Sequence, residues 1–389
     1  MAVVKLEGIR VVLGQPIQVS EGVGHHWFPQ IAKFSTGGLI CFNSAVPDAR
    51  GLLMHAQRVY TSDDRGQTWQ HIHTVSEALA SVKIPRPNGD MLVVSGRVAP
   101  NPPGQWRRFS GPYVRYRDGG RQIVIESGGM VMEGFPRDIA PLGKGDVPPS
   151  AANVGHHTFD GNGLDIDGRL LTTMYLRFLG DDTYTAILLE SEDEGHTWRY
   201  LSTIAGPELN NVREGPCEPS LVQLETGELM CVMRVGSGPK WNIARAYSND
   251  GGVNWSTTDR LSAFSVEPSL SLLSNGILAL STGRPGIYLW LSSDPRGQSW
   301  QSVDLLLWHN EWAPGPEYVI RPEPSGDQAK RHANDQTTAY TEIVEIEPNQ
   351  LLIVYDRIDN AWSPVPTESK RRSRIFVMPI RIEREDPFP

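Results

Sequence analysis

Cysteine is almost missing from this chain: three in 389 residues, Cys41, Cys217 and Cys231. Three are too few for a disulfide framework, and their spacing suits no zinc site. Cys41 and Cys231 sit in apolar, strand-like runs, where a buried thiol acts as a small hydrophobe. No cluster of ligand-type residues calls for a metal or another cofactor, so none is expected. The sequence also lacks any window of about 18 apolar residues, so no membrane span is expected. Met1-Ala2-Val3-Val4-Lys5-Leu6-Glu7 lacks the basic start and apolar run of a secretory leader. As it stands the chain reads as cytoplasmic, or as secreted if a leader has been removed. Positive charge is in deficit, with 36 Lys and Arg against 45 Asp and Glu and a net charge of -9. That balance argues against a nucleic-acid partner. It leaves room for an anionic small substrate, because a local group of arginines can outweigh the global sign. Helical periodicity is scarce too, while 38 Gly and 30 Pro punctuate the chain. The class that remains is all-β with many turns.

What is present is a repeat. Ser62-Asp63-Asp64-Arg65-Gly66-Gln67-Thr68-Trp69 has the form Ser-x-Asp-x-Gly-x-Thr-Trp, and Ser191 to Trp198 repeats it in full. Ser248 to Trp255 keeps all but the Thr, and Ser292 to Trp300 carries one extra residue before the Gly. Each copy follows an alternating apolar run. The Asp can accept from nearby backbone N–H groups, the Gly can take a backbone angle other residues avoid, and the Trp can fold back as an apolar plug. The boxes therefore read as turns between outer strands, shaping the chain rather than performing chemistry.

A second repeat lies upstream of the boxes. It is a hairpin of two apolar runs about a polar turn. The turns fall at Gly37-Gly38, Asn88-Gly89, Asp167-Gly168, Thr226-Gly227, Asn275-Gly276 and Pro348-Asn349. Six such units predict a six-bladed β-propeller over residues 1–389 as one domain. The stretches near 100–154 and 306–337 read as loop insertions. The first strand, Val3 to Leu13, and the last, Arg374 to Ile382, are candidates to close the ring.

Propeller geometry then sorts the polar residues. First-strand starts and second-strand ends share the rim opposite the turns. Those positions offer His25, His26, Trp27, Lys83, His156, His157, Glu218, Glu267 and Tyr340, with Asp48, Arg97, Arg177, Arg234, Arg284, Asp356 and Arg357. Several arginines around one mouth suit a carboxylate-bearing ligand. Each could equally pair with an acidic neighbour and hold strands together.

With boxes and hairpins over essentially the whole length, the chain resembles the sialidase (neuraminidase) superfamily. The resemblance implies a six-bladed propeller with a central site, a Tyr nucleophile, a Glu that polarises it, an Asp acid/base and three arginines on the sugar carboxylate. Such enzymes stand outside the two-carboxylate rule for glycosidases. Ala339-Tyr340-Thr341-Glu342 resembles the nucleophile segment, which makes Tyr340 the candidate nucleophile. Glu218-Pro219-Ser220 resembles the segment of the activating Glu, and Arg234 and Arg284 match the second and third arginines. Two positions depart from the pattern. His26-Trp27-Phe28-Pro29 puts Trp27 where the first arginine belongs, and the spacing before the first box offers His55 or, earlier, Asp48 as proton donor. Arg97 is a candidate replacement for the missing arginine, and His26 and His157 are candidate substrate contacts.

The function this predicts is exo-hydrolysis of a terminal acidic sugar from a glycoconjugate. Two other readings fit the same residues. The pairs His25-His26 and His156-His157, with Tyr and Arg, suit a uronic acid lyase. The two departures suit a glycan-binding propeller without catalysis.

Overall fold

The computed structural model describes residues 1–45, 56–76, 80–95, 98–140, 158–209, 215–236, 242–264, 266–321, 335–359 and 372–385. Among them nearly all regular structure is strand, and all six expected hairpins form. Their registers close Lys33 on Leu39, Pro85 on Met91, Ile166 on Arg169, Gln223 on Leu229, Leu272 on Leu278 and Glu347 on Gln350. The chain divides into two compact units, Met1–Thr74 with Ser237–Asn242 and Ser262–Pro389, and Val75–Gly236 with Ile243–Leu261.

In the first unit, Trp27–Lys33, Leu39–Ser44, Gln57–Ser62 and Gln70–Val75 form a four-stranded antiparallel sheet. Ser269–Leu272, Leu278–Gly283, Ile287–Ser292 and Gln301–Asp304 form another. A six-stranded sheet holds both ends of the chain: Ile9–Leu13 pairs antiparallel with the C-terminal strand, Leu13 opposite Ile380 and Ile9 opposite Arg384. The first and last strands, the candidates for one closing sheet, are thus paired. Neighbouring sheets touch along their innermost strands. The Glu342 carboxylate accepts from Ile31 N at 2.5 Å, and Thr341 Oγ1 donates to Ser281 Oγ at 2.9 Å. The fifth, sixth and first hairpins therefore lie side by side. Leu352, Val354, Ile375 and Val377 fill the space between the sixth and first with Ile31, Leu39 and Cys41.

In the second unit, two four-stranded runs join into one sheet. Ala80–Pro85, Met91–Ser95, Phe109–Arg117 and Gln122–Glu133 make one run, and Thr158–Ile166, Arg169–Leu176, Thr185–Ser191 and Thr197–Ala205 the other. Val131–Glu133 lies parallel to Thr197–Arg199 and forms the seam. The fourth hairpin, Cys217–Gln223 with Leu229–Arg234, packs beside the third, and Thr173 Oγ1 donates to the Pro219 carbonyl at 3.1 Å. Two expectations need correction. The stretch near 100–154 is not simply a loop: it supplies the long outer strands Phe109–Arg117 and Gln122–Glu133. The stretch near 306–337 begins inside a helix, Leu305–Trp312, which Asp304 caps by accepting from Leu306 N and Leu307 N.

The boxes are the turns their sequence implies. In the first, Asp64 Oδ1 accepts from Thr68 N at 2.9 Å and from Ser62 Oγ at 2.8 Å, and Gly66 N donates to Ser62 Oγ at 2.9 Å. In the third, Asn254 replaces the Thr and Asn254 Nδ2 reaches Asp250 Oδ2 at 2.7 Å, so the lock survives. Those donors, the Asn254 backbone first, hold the Asp250 carboxyl down at about 2. Gly252 has φ +93, and a Cβ there would meet Leu188 Cδ2 at 2.3 Å. Gly252→Ala should cost about 1–3 kcal/mol in urea unfolding, from the left-handed backbone and the overpacked leucine. An unchanged midpoint would mean that the turn does not lock the blade.

Candidate functional site

Three of the first strands are built alike at their inner ends. Phe28, Glu218 and Glu267 have φ of 50, 45 and 41, and each precedes a proline. In the first hairpin the register jumps from Trp27 opposite Ser44 to Gln30 opposite Phe42. In the fourth it jumps from Cys217 opposite Arg234 to Ser220 opposite Val232. These are β-bulges, which re-aim side chains at the end of a strand. Left-handed backbone at a residue with a Cβ costs about 1–2 kcal/mol. Strain repeated at equivalent positions points to a functional rim. The sequence did carry the signal, as an X-Pro pair at the same place in three hairpins.

Tyr340 sits on one such rim in the first unit, in the extended stretch before Glu342–Glu347, and it is half-buried. Its ring meets Phe28 edge-on, with centroids 4.8 Å apart. The Arg284 guanidinium carbon lies 5.7 Å from the ring centroid, and Arg284 Nη2 donates to the Thr338 carbonyl at 3.0 Å. Gly283 permits this approach, since a Cβ there would lie 2.4 Å from the Ala339 carbonyl oxygen. Below the ring, Asp356 is fully buried. It accepts from Thr337 Oγ1 at 2.8 Å, Thr338 N at 2.7 Å, Thr338 Oγ1 at 2.5 Å and Phe28 N at 3.1 Å. Burial pushes its carboxyl up, and these donors pull it part of the way back. One carboxylate therefore fixes both the segment that carries Tyr340 and the bulge that carries Phe28.

Trp27 does not stand in the open as a substrate contact. It is 1% exposed, with its ring 4.6 Å from His25 in a stack and 4.7 Å from Phe28. Its contribution to a site is to back Phe28. His26 is buried as well, with Nδ1 3.3 Å from Ser20 Oγ. Burial, then the charge on Arg58, pushes its imidazole down to about 3. Burial and Arg58 lower His25 also. An imidazole held that low makes His26 a weak base near neutral pH.

In the second unit, Glu218 and Arg234 form a buried pair, with Arg234 Nη1 2.5 Å from Glu218 Oε1 and Arg234 Nε donating to the Gly236 carbonyl at 3.2 Å. Arg357, another strand-end arginine, is structural: it binds Asp335 at 2.6 Å and Asp359 at 2.9 Å. Asp48, His55, Arg97 and His157 lie outside the described residues. Among the described residues no group of His, Cys, Asp and Glu is placed to hold a metal ion. Thr337, Thr338 and Phe28 were absent from the expected site, because nothing local marks them.

Four-stranded antiparallel sheets locked by boxes, with a bulged polar rim, define an Asp-box β-protein. Residues 156–348 match the family described as BNR repeat-like domain, and the resemblance to the sialidase superfamily holds at that level. No curated protein matches the sequence. Solved structures match in fold. A protein of unknown function from Dyadobacter fermentans aligns with TM-score 0.65 at 15% identity, over 97% of this chain and 100% of its own. The alpha-L-arabinanase of Penicillium chrysogenum, complexed with arabinobiose, aligns with TM-score 0.58 at 13% identity, over 94% and 98%. The NanB sialidase of Streptococcus pneumoniae aligns with TM-score 0.55 at 13% identity, over 95% and 70%.

Proposed function

We propose that the protein is an exo-acting glycoside hydrolase built as a six-bladed propeller, with Tyr340 as nucleophile and a terminal acidic sugar as substrate. The observation that carries this reading is Tyr340 held by the Asp356 network with a guanidinium over its ring. A cation there favours the charge that the phenol oxygen must take on as it attacks. A phenol also suits an anomeric carbon that already bears a carboxylate, where a carboxylate nucleophile would be repelled. Arg284 would then meet the sugar carboxylate, and Asp48 or His55 would protonate the leaving oxygen.

Trp27 favours a second reading, in which the terminal sugar is neutral. A buried indole stands at the place of the first arginine, so the three-arginine clamp is incomplete there. Arabinan-acting enzymes share this fold, and a neutral furanoside would need no clamp. A chromogenic sialoside and a chromogenic alpha-L-arabinofuranoside separate the two. Tyr340→Phe should lower kcat/KM on the accepted substrate by at least about a hundredfold. Turnover of neither substrate class, or full activity in Tyr340→Phe, would overturn the proposal.

A further inference from the structure

The second unit carries a groove of about 710 Å³. One wall is the outer strand Thr197–Ala205 with the turn after it, and the other is the loop of the third box, residues 253–258. Tyr200 and Trp255 supply aromatic surface, while Ser202, Thr203 and Thr257 supply hydroxyls. Glu208 adds a carboxylate, and among the described residues no Lys or Arg lines the groove.

The third box differs from its fellows in a way that builds this groove. Trp69 and Trp300 turn the indole N–H back to their own box glycine, at 3.0 Å to Gly66 O and 2.6 Å to Gly297 O. The Trp198 ring of the second box is wholly buried. Trp255 does neither. Its Nε1 donates to Ser202 Oγ at 3.0 Å, on the facing wall. Ser202 is held in turn by donating to the Gly252 carbonyl at 2.5 Å. The indole is thus pinned across the groove rather than over its own turn. On the other side Tyr200 Oη is 2.9 Å from Thr203 Oγ1, and Glu208 Oε1 accepts from Gly206 N at 2.7 Å. Both aromatic groups are fixed before any ligand arrives, which lowers the entropic cost of binding. At the lip, Val253 is 51% exposed, an apolar residue where the other boxes carry polar ones (Gln67, His196, Gln298).

We infer that this groove is a second binding site, separate from the Tyr340 rim, for a neutral oligosaccharide. Sugars have apolar C–H faces that rest on aromatic rings and edges rich in hydroxyls that pair with Ser, Thr and carboxylate groups. An anion would meet the Glu208 carboxylate, and a purely apolar ligand would strip water from that carboxylate without replacing it. On the glycosidase reading above, its role is to hold polymer to the enzyme.

The test uses the full chain carrying Tyr340→Phe, so that no probe is consumed. Arabinohexaose, cellohexaose and maltohexaose are titrated separately, with binding read from tryptophan fluorescence and from calorimetry. At least one should bind saturably with Kd at or below about 1 mM, a strength ordinary for a shallow site. Trp255→Ala should weaken that binding at least tenfold. Val253→Arg, a change at an exposed lip that leaves the fold intact, should weaken it at least fivefold. Saturable binding that neither variant alters would overturn the inference, and so would the absence of binding by all three. Neither result bears on the nucleophile, which the activity of Tyr340→Phe tests separately.

Discussion

Asp356→Ala should lower the unfolding free energy by about 3–5 kcal/mol, the range for breaking a buried, fully bonded ionic group. The donors explain the size. Two backbone N–H groups, of Phe28 and Thr338, and two hydroxyls, of Thr337 and Thr338, all point at this carboxylate. Without it, each is left buried with a lost acceptor, at about 1 kcal/mol or more apiece. Against a typical total of about 5–15 kcal/mol, that is a large share. Asparagine should rescue little. Oδ1 accepts from Thr338 N and Oδ2 from Phe28 N, so either orientation of the amide sets an NH2 against a backbone N–H. Thr337→Val, which removes one donor to Asp356 and the acceptor of Ala339 N, should cost about 2 kcal/mol. Urea unfolding of the three variants checks the order, and equal midpoints for Asp356→Ala and the parent would refute it. The same variants should lower kcat more than they raise KM, because the group placed by Asp356 is the one proposed to attack.

Asp356 also marks the limit of what the sequence discloses. Its position at a second-strand end was legible, but its role was not. The donors come from residues 28, 337 and 338, and no local pattern links them to residue 356. The boxes and hairpins lie at the other extreme. Each is closed within a few residues, by a Gly turn or by Asp64 and its near neighbours, so spacing alone identifies them. The strands Phe109–Arg117 and Gln122–Glu133 failed for a different reason. Gly111-Pro112, Gly119-Gly120 and Gly128-Gly129 break the alternation and imitate a loop. One of those breaks is a register shift between Gly111 and Tyr113, and the ladder resumes on both sides of it. Tyr340 was a candidate through family resemblance, and the structure shows what holds its segment in place. Trp27 was rightly marked as a departure from the arginine pattern. Only packing could show that the indole fills the wall behind Phe28.

Between pH 6.5 and pH 4 the fold should lose about 6 kcal/mol of stability, most of it through two histidines. His309 is wholly buried in the helix Leu305–Trp312, and its Nε2 faces the Tyr318 carbonyl at 2.9 Å. That nitrogen must carry the proton, so Nδ1 accepts from Tyr355 Oη at 2.8 Å. A second proton would put N–H where the acceptor is needed. Burial first, then the charge on Arg357, holds this imidazole down at about 4, against the pull of the Tyr318 carbonyl. His26 is held at about 3 by burial, then by Arg58. Both folded values lie below the unfolded value of 6.5, so the unfolded chain binds protons first. Stability is therefore full above pH 6.5. It falls by about 1.4 kcal/mol per pH unit for each histidine as the pH drops toward the folded values. The lowered carboxylates, such as Asp64 and Asp193, act in the same direction but only below about pH 4, whereas Asp356 and Asp359, raised by burial, act the other way as the pH falls. Thermal or urea unfolding from pH 7.5 to 4 should show the loss, and His309→Gln should remove about half of the slope. A flat profile from pH 7 to 4.5 would mean that neither imidazole is held neutral by the fold.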